Sequence, residues 1–154
     1  MKTRTIAVAL LMCFAGAIFC LAEDAMVGSW KLNEAKSKFS QGAPKTTSSM
    51  YEIDGDNMKV TLDGVGFDGK AMHTEWTGKF DGKDYPVTGD SHQTSRSYTR
   101  VNDHTVRTTV KNGDKVLLSA TLTTSADGKT RTVKASGAGA EGKKYSYTAV
   151  YDKQ

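Results

Sequence analysis

After residue 25, apolar and polar residues alternate along most of the chain. In M-K-V-T-L, residues 58–62, the side chains of Met58, Val60 and Leu62 fall on one face of an extended segment. The same alternation runs through M-H-T-E-W-T-G-K-F, residues 72–80. Successive side chains of a β-strand point to opposite faces, so a period of two predicts strands.

Short segments rich in Thr, Val and Tyr follow this pattern between repeated turn signals. Asp-Gly and Asn-Gly pairs favour the positive φ angles of tight hairpin turns. The pattern predicts ten strands, over residues 28–32, 50–53, 58–62, 72–80, 84–88, 95–101, 105–110, 115–124, 130–135 and 145–151. Strands joined in sequence by tight turns form an antiparallel up-and-down meander, and closure removes its exposed edges. We therefore expect an all-β fold, a meander of about 8–10 strands closed into a barrel.

One segment has a helical signal instead. In N-E-A-K-S-K-F, residues 33–39, Asn33 is a good N-cap residue, and Gly42 and Pro44 follow at a distance that ends a short helix. We expect one or two helical turns here.

The first residues of the chain resemble a secretory signal peptide. Lys2 and Arg4 precede an uncharged apolar run over residues 6–21, and the small residue Ala22 stands just before an acidic pair. We expect residues 1–22 to be a signal peptide, and residues 23–154 to be a single exported domain, periplasmic or extracellular, with no membrane span.

Lipidation at Cys20 is the alternative to simple cleavage, but the bulky Phe19 stands where lipoprotein processing needs a small residue. Both cysteines of the chain, Cys13 and Cys20, lie in this leader. The mature chain is therefore expected to form neither a disulfide nor a cysteine zinc site.

The charge balance says little about partners. The chain has 21 basic and 17 acidic residues, a formal net charge of +4, and two of the basic residues belong to the leader. Nucleic-acid-binding proteins usually concentrate positive charge on one face, so this near-neutral, interleaved pattern argues against a nucleic-acid partner. A monomer is the favoured oligomeric state.

The segment G-S-W-K-L-N, which opens the first predicted strand, resembles the Gly-x-Trp signature of the calycin group, the lipocalins and fatty-acid-binding proteins. The longer G-S-W-K-L-N-E-A-K-S-K-F is similar to a set of small secreted bacterial proteins known only as lipocalin-like. The resemblance implies a lipocalin-like barrel. Gly28 would let the first strand bend, and Trp30 is large enough to plug the closed end of a barrel.

The C-terminal T-A-V-Y-D-K, residues 148–153, resembles the closing strand of fatty-acid-binding proteins. Tyr151 matches their ligand-contacting tyrosine. Ala149, however, stands where that family has an arginine that holds a fatty-acid carboxylate, which argues against this particular ligand.

Other motifs carry little chemistry. G-V-G-F-D-G, residues 64–69, has the spacing of a dinucleotide-binding loop, but a strand rather than a helix follows, so we expect a hairpin. His73 and Glu75 share a strand face, whereas His92 and His104 lie elsewhere, and we expect no metal site. No combination of nucleophile, base and acid has the context that catalysis needs, so we predict neither catalytic residues nor a cofactor, and no enzyme activity.

Two polar stripes are candidates for ligand binding. Arg96, Tyr98 and Arg100 alternate on one strand and would suit an anionic or aromatic ligand if they pointed inward. An outward, solvated face is the favoured alternative, because arginine is seldom buried unless paired. A second stripe is aromatic and is equally explained by strand packing; it comprises Tyr145, Tyr147 and Tyr151. The candidate ligand-binding residues are Arg96, Tyr98, Arg100, Tyr147 and Tyr151.

These features together predict an exported, lipocalin-like protein that binds a small apolar or amphipathic molecule without transforming it. The alternative is a structural or interaction protein of the cell envelope, such as a stress factor or an inhibitor, that has no ligand.

Overall fold

The structure is a computed structural model that describes residues 24–139 and 142–154. The predicted signal peptide and Cys20 lie outside these residues. The described residues form ten strands: β1 (Gly28–Phe39), β2 (Lys45–Asp54), β3 (Asn57–Val65), β4 (Ala71–Gly78), β5 (Tyr85–Thr88), β6 (Ser95–Asn102), β7 (Thr105–Asn112), β8 (Lys115–Thr124), β9 (Thr130–Ala138) and β10 (Lys144–Lys153). In this part of the chain no helix is long and apolar enough to cross a membrane.

Every strand pairs antiparallel with its neighbours in sequence, and the two terminal strands pair with each other, so the sheet is closed. Trp30 of β1 lies opposite Lys153 of β10 on one side and opposite Ser49 of β2 on the other. The predicted closed meander is confirmed, since each of the ten described strands has a partner on both sides.

The helix predicted over residues 33–39 is wrong. Pairing of β1 with β10 is interrupted after Asn33 and resumes at Lys38, so the intervening residues form a bulge within a continuing strand. The Asn33 side chain accepts a hydrogen bond from the Lys36 amide at 3.2 Å, and the Ser37 hydroxyl donates to the Asn33 carbonyl at 2.7 Å. Asn33 thus forms a local capping turn, but ladder hydrogen bonds on both sides of the bulge prevent helix propagation.

The predicted hairpin at residues 64–69 is confirmed. Gly64 belongs to β3, and the turn closes with a hydrogen bond from the Gly66 amide to the Lys70 carbonyl before β4 begins. A strand therefore follows the glycines, where a dinucleotide loop would need a helix.

Alternate side chains fill the barrel interior. The buried apolar residues form one continuous cluster that includes Trp30, Tyr51, Val60, Leu62, Trp76, Tyr98, Val106, Val110, Leu118, Leu122, Ala149 and Tyr151. The segment 24–27, which precedes β1, lies at one end, where Met26 is fully buried. We call this the closed end. The opposite, open end carries the β1–β2, β3–β4, β5–β6, β7–β8 and β9–β10 connections.

Candidate functional site

The closed end is built on a stacked arginine. The guanidinium carbon of Arg131, on β9, lies 3.9 Å from the ring centroid of Trp30 and 4.4 Å from that of Tyr51. Its Nη2 donates to the Met26 carbonyl at 2.8 Å. Trp30 and Arg131 are each 1% exposed. A cation that lies over two aromatic rings and donates to the backbone stabilises the closed end of the barrel.

A second arginine, on β6, also contributes to the closed end. Arg100, on β6, forms an ion pair with Asp24 and lies 5.2 Å from the ring centroid of Phe80. Gly28 supports the entry into β1, because its φ of 120° is in a region that other residues rarely adopt. A Cβ there would also overlap the Lys153 side chain.

Beyond this plug the interior contains a cavity of about 70 Å³. Its wall combines aromatic, apolar and hydrogen-bonding side chains, among them Tyr51, Leu62, Arg96, Thr108, Tyr147 and Tyr151. Toward the open end the lining reaches Phe67, in the β3–β4 turn, whose ring packs against Tyr145 with centroids 6.0 Å apart. Phe67 and Tyr145 therefore form an aromatic contact on the open-end side of the cavity.

Arg96, one of two arginines that line the cavity, is only 7% exposed. Its Nη1 donates to the Tyr98 hydroxyl at 3.2 Å, and its Nη2 donates to the Gln93 side-chain oxygen at 2.9 Å. Gln93 in turn donates from Nε2 to Asp90 at 2.8 Å. Because Gln93 uses its amide nitrogen for Asp90, its oxygen is left to hold the guanidinium of Arg96.

Buried donors of the cavity wall are left without partners. Arg96 Nε and the Thr108 hydroxyl have no hydrogen-bond partner within the described residues, and neither do Nε and Nη1 of Arg131. No described side chain that lines the cavity is acidic. The interior therefore holds two positive charges whose direct partners are neutral, and buried charge of this kind is costly unless something compensates it.

The tyrosines around these arginines remain neutral phenols over a wide pH range. Burial raises the pKa of Tyr147 to about 12, although nearby Arg96 pulls it downward. Burial likewise raises the pKa of Tyr51, with the neighbouring Tyr98 adding to the effect, and burial also raises the pKa of Tyr151. These hydroxyls can therefore donate hydrogen bonds at neutral and moderately alkaline pH.

The structure separates the residues that the sequence placed on one stripe. Arg96 and Tyr98 point inward, so the favoured outward orientation is wrong for them; polar partners inside the barrel permit the burial. Arg100 pairs with Asp24 at the closed end and does not line the cavity. Tyr147 and Tyr151 do line it, together with Arg96 and Tyr98.

Two residues of the candidate site were not predicted from the sequence. Arg131 shares its strand face with Val133 and Ala135, and an arginine on an apolar face is a detectable signal. Gln93 lies in the β5–β6 connection, where no periodic pattern marks inward side chains, so only the structure reveals it.

The histidines lie apart from the cavity. Exposed His73 contacts Asp63 through Nδ1 at 2.7 Å, and His92 contacts Asp90 at 3.0 Å. Within residues 24–139 and 142–154 no group of three His, Cys, Asp or Glu side chains could hold a metal ion.

Comparisons with known proteins give only distant similarities. No protein family matches the chain, and no curated protein matches it. Among solved structures, a redesigned β-barrel is similar with a TM-score of 0.47 and 11% identity, covering 84% of this chain and 92% of its own. Another redesigned β-barrel, mFAP1 bound to DFHBI, is similar with a TM-score of 0.43 and 10% identity, covering 84% of this chain and 95% of its own.

Proposed function

We propose that this protein is an exported, lipocalin-like barrel that binds a small amphipathic molecule in its interior without transforming it. The observation that carries the proposal is the cavity between the Trp30 plug and the open end, in which unpartnered polar donors lie beside apolar walls. Pockets for small molecules typically combine mostly apolar walls with a few polar groups that orient the ligand.

The position of the plug supports the proposed export. Cleavage after Ala22 would leave Asp24 and Met26 in the mature chain, and both are used by the closed end. The proposed processing would therefore preserve the contacts that seal the barrel.

The size of the cavity limits the ligand. A volume of about 70 Å³ exceeds the roughly 10–15 Å³ needed by one water, and is about half of an engineered cavity of about 150 Å³ that binds benzene. A larger ligand would require Phe67 to move from its contact with Tyr145. The proposal therefore favours a small molecule, or a larger one that displaces this aromatic pair.

The same small volume favours a second candidate function, a packed scaffold that acts through its outer surface. Its large exposed apolar residues are scattered over β2, β3, β6 and β8 rather than gathered on one strand pair, as shown by Met50, Ile53, Val65, Val101 and Val116. This dispersal gives no single apolar patch for a partner, so we rank ligand binding first.

Native mass spectrometry of the protein purified from the exported fraction of its own host tests the two candidates. Binding predicts an additional mass that disappears on denaturation, and N-terminal mapping of the same sample predicts Glu23 as the first residue. A clean ligand-free mass, together with no binding in a small-molecule screen, would favour the scaffold and contradict the binding proposal.

A further inference from the structure

One outer face of the barrel carries positive charge that no nearby acidic side chain balances. On the face formed by β2, β3 and β4, cations lie beside acids, as Lys59 Nζ does at 3.6 Å from Glu75. On the face formed by β7, β8, β9, β10 and β1, three cations are exposed: Arg107, Lys134 and Lys38. None of the ion pairs among the described residues includes any of these three. This face therefore presents positive charge to an anion outside the protein.

The three cations lie on one line across the sheet. Each member of the line is directly opposite the next in the strand pairing, in the order Arg107, Thr121, Lys134, Thr148 and Lys38. We call this line the basic row. Neighbouring strands are about 4.8 Å apart, so successive cations stand on backbone positions about 10 Å apart, with one threonine between them. The basic row thus alternates charge and hydroxyl across five strands.

A second line of side chains, beside the basic row, carries hydroxyl groups alone: Thr109, Ser119, Ser136, Ser146 and Ser40. Ser40 joins it beyond the end of β1, where its Oγ accepts a hydrogen bond from the Ser146 amide at 2.9 Å. Because these side chains are shorter than lysine and arginine, they leave a surface groove of about 820 Å³, which both lines border. No described side chain that lines the groove is acidic. The groove therefore combines a row of cations with a floor of hydroxyls.

We propose that this groove binds an acidic polysaccharide in which a uronic acid alternates with a neutral sugar. The carboxylates of such a chain are separated by one uncharged, hydroxyl-bearing sugar, and the basic row has the same alternation of charge and hydroxyl. The carboxylates pair with the three cations, while sugar hydroxyls exchange hydrogen bonds with the threonines and serines between and beside them. Each exposed ion pair contributes little alone, but contacts along one chain act together. This surface lies outside the barrel, so its binding is independent of any ligand in the interior cavity.

Two other classes of polyanion match the groove less well. Nucleic acids carry a phosphate at every nucleotide, and proteins that bind single strands stack the bases on aromatic rings. Among the described residues that line the groove, the aromatic ones are Phe39 and Tyr147, and their rings pack against each other with centroids 5.1 Å apart. Protein partners usually bind through aromatic anchors in well-packed pockets, whereas this floor consists largely of serine and threonine. A hydroxyl-rich chain with spaced carboxylates is the better match.

Isothermal titration calorimetry at low ionic strength tests the inference. Hyaluronan oligosaccharides, in which glucuronate alternates with a neutral amino sugar, are compared with their carboxyl methyl esters. Polyglutamate and oligodeoxythymidylate with the same number of charges are the other probes. We expect hyaluronan to bind most tightly, and its ester to bind far more weakly, because the ester keeps the hydroxyls but loses the charge.

Charge variants test the position of the site. Arg107→Gln, Lys134→Gln and Lys38→Gln should each weaken hyaluronan binding about threefold, and the triple variant about thirtyfold, since exposed ion pairs are individually weak and separated ones add. Lys59→Gln, which removes the same charge from the β2–β4 face, should leave the affinity unchanged.

Hydroxyl variants distinguish a sugar chain from a simple polyanion. Replacing both threonines of the basic row, Thr121→Val with Thr148→Val, should weaken hyaluronan binding about two- to tenfold, the range for one neutral hydrogen bond, and leave polyglutamate binding unchanged. Thr77→Val, on exposed β4 surface, is the matched control. Equal hyaluronan affinities of the double variant and this control would contradict the polysaccharide assignment.

The remaining outcomes also decide the question. If hyaluronan and its ester bind equally, or if Lys59→Gln weakens binding as much as Lys134→Gln does, the basic row is not the site. If polyglutamate or oligodeoxythymidylate binds as tightly as hyaluronan, the groove is a general polyanion or nucleic-acid surface, which overturns the assignment. If hyaluronan does not bind a protein shown by circular dichroism to be folded, the inference is refuted, while the proposed binding in the interior is unaffected.

Discussion

The two buried arginines should respond in opposite ways to loss of their charge. Replacing either by Met keeps a long, apolar side chain and removes the guanidinium. Arg131→Met would remove the cation that lies over the Trp30 and Tyr51 rings and leave the buried Met26 carbonyl without its donor. Arg96→Met would remove a cation that contacts only neutral acceptors beside a cavity.

The magnitudes follow from these contacts. A desolvated cation–π contact contributes about 2 kcal/mol, and Arg131 makes two. Leaving a buried carbonyl without its donor costs about 1–3 kcal/mol, while removal of a buried charge returns several kcal/mol of desolvation. We therefore expect Arg131→Met to lower the free energy of unfolding by about 3 kcal/mol. Arg96→Met should change it by less than about 1 kcal/mol or raise it, because water in the cavity can replace its contacts.

Urea unfolding, followed by tryptophan fluorescence and far-ultraviolet circular dichroism, measures both variants against the parent. The slope of free energy against urea should stay constant, so that the shift in midpoint reports stability alone. A parent-like midpoint for Arg131→Met would refute the role of Arg131 in the plug. An equally large loss in Arg96→Met would show that Arg96 is structural, and would remove the stability argument for its use in binding.

Three further predictions concern the ends of the strands and the tyrosines. The free energy of unfolding of a chain of residues 28–154 should be about 2–4 kcal/mol lower than that of residues 23–154, because the shorter chain lacks the fully buried Met26. Equal urea midpoints would contradict this. Gly137→Ala should cost about 1–3 kcal/mol, since its Cβ would overlap a backbone carbonyl of β8, whereas Gly139→Ala, with space around it, should be nearly neutral in thermal melting. Burial raises the pKa of Tyr147 to about 12 in the folded protein, compared with about 10 in the unfolded chain. The stability that this difference contributes is present below pH 10 and is lost as the pH rises toward 12. The free energy of unfolding should fall by about 1.4 kcal/mol per pH unit over this range. A stability profile against pH, with phenolate absorbance as the titration signal, should show this slope reduced in Tyr147→Phe.

The sequence predicted the strands because hairpin turns and period-two patterns are local signals. The turn at Gly55, with a φ of 58°, joins β2 and β3 as the Asp-Gly pair indicated. The start of β2 was missed because K-T-T-S-S, residues 45–49, contains no apolar alternation. These residues are nevertheless in a strand, because the ladders of β1 and β3 on either side supply their hydrogen bonds.

The error at residues 33–39 has the same origin. Asn33 makes the local turn that its type favours, with the Lys36 amide as donor. Whether such a turn grows into a helix depends on long-range pairing with β10, which resumes at Lys38. A sequence window of a few residues contains the capping preference but not the partner strand, so local propensity alone gave the wrong element.

Only part of the candidate site could be predicted from the sequence, for a related reason. The average rule that arginine is exposed favoured an outward Arg96, but the alternation that placed Arg96 and Tyr98 on one face was correct. A strand face must be inward or outward as a whole, and Tyr98 is among the largest buried residues of the barrel. The aromatic neighbour was therefore the better guide to orientation. An arginine that shares a strand face with buried aromatic or aliphatic residues should be read as inward, as Arg131 beside Val133 shows again.

Inward orientation alone does not distinguish an arginine of the closed end from one that could bind a ligand. The surroundings of the guanidinium do distinguish them. The Arg131 guanidinium lies over two aromatic rings and donates to a backbone carbonyl, so it stabilises the closed end. Arg96 is held at its edge by Gln93 and Tyr98, and neither of these neutral groups compensates its charge. Replacement of a buried charge by an apolar residue of similar size is often neutral or stabilising, so stability of the fold is a weak explanation for Arg96. Arg96, and not the more deeply buried Arg131, is therefore the residue at which a search for the ligand should begin.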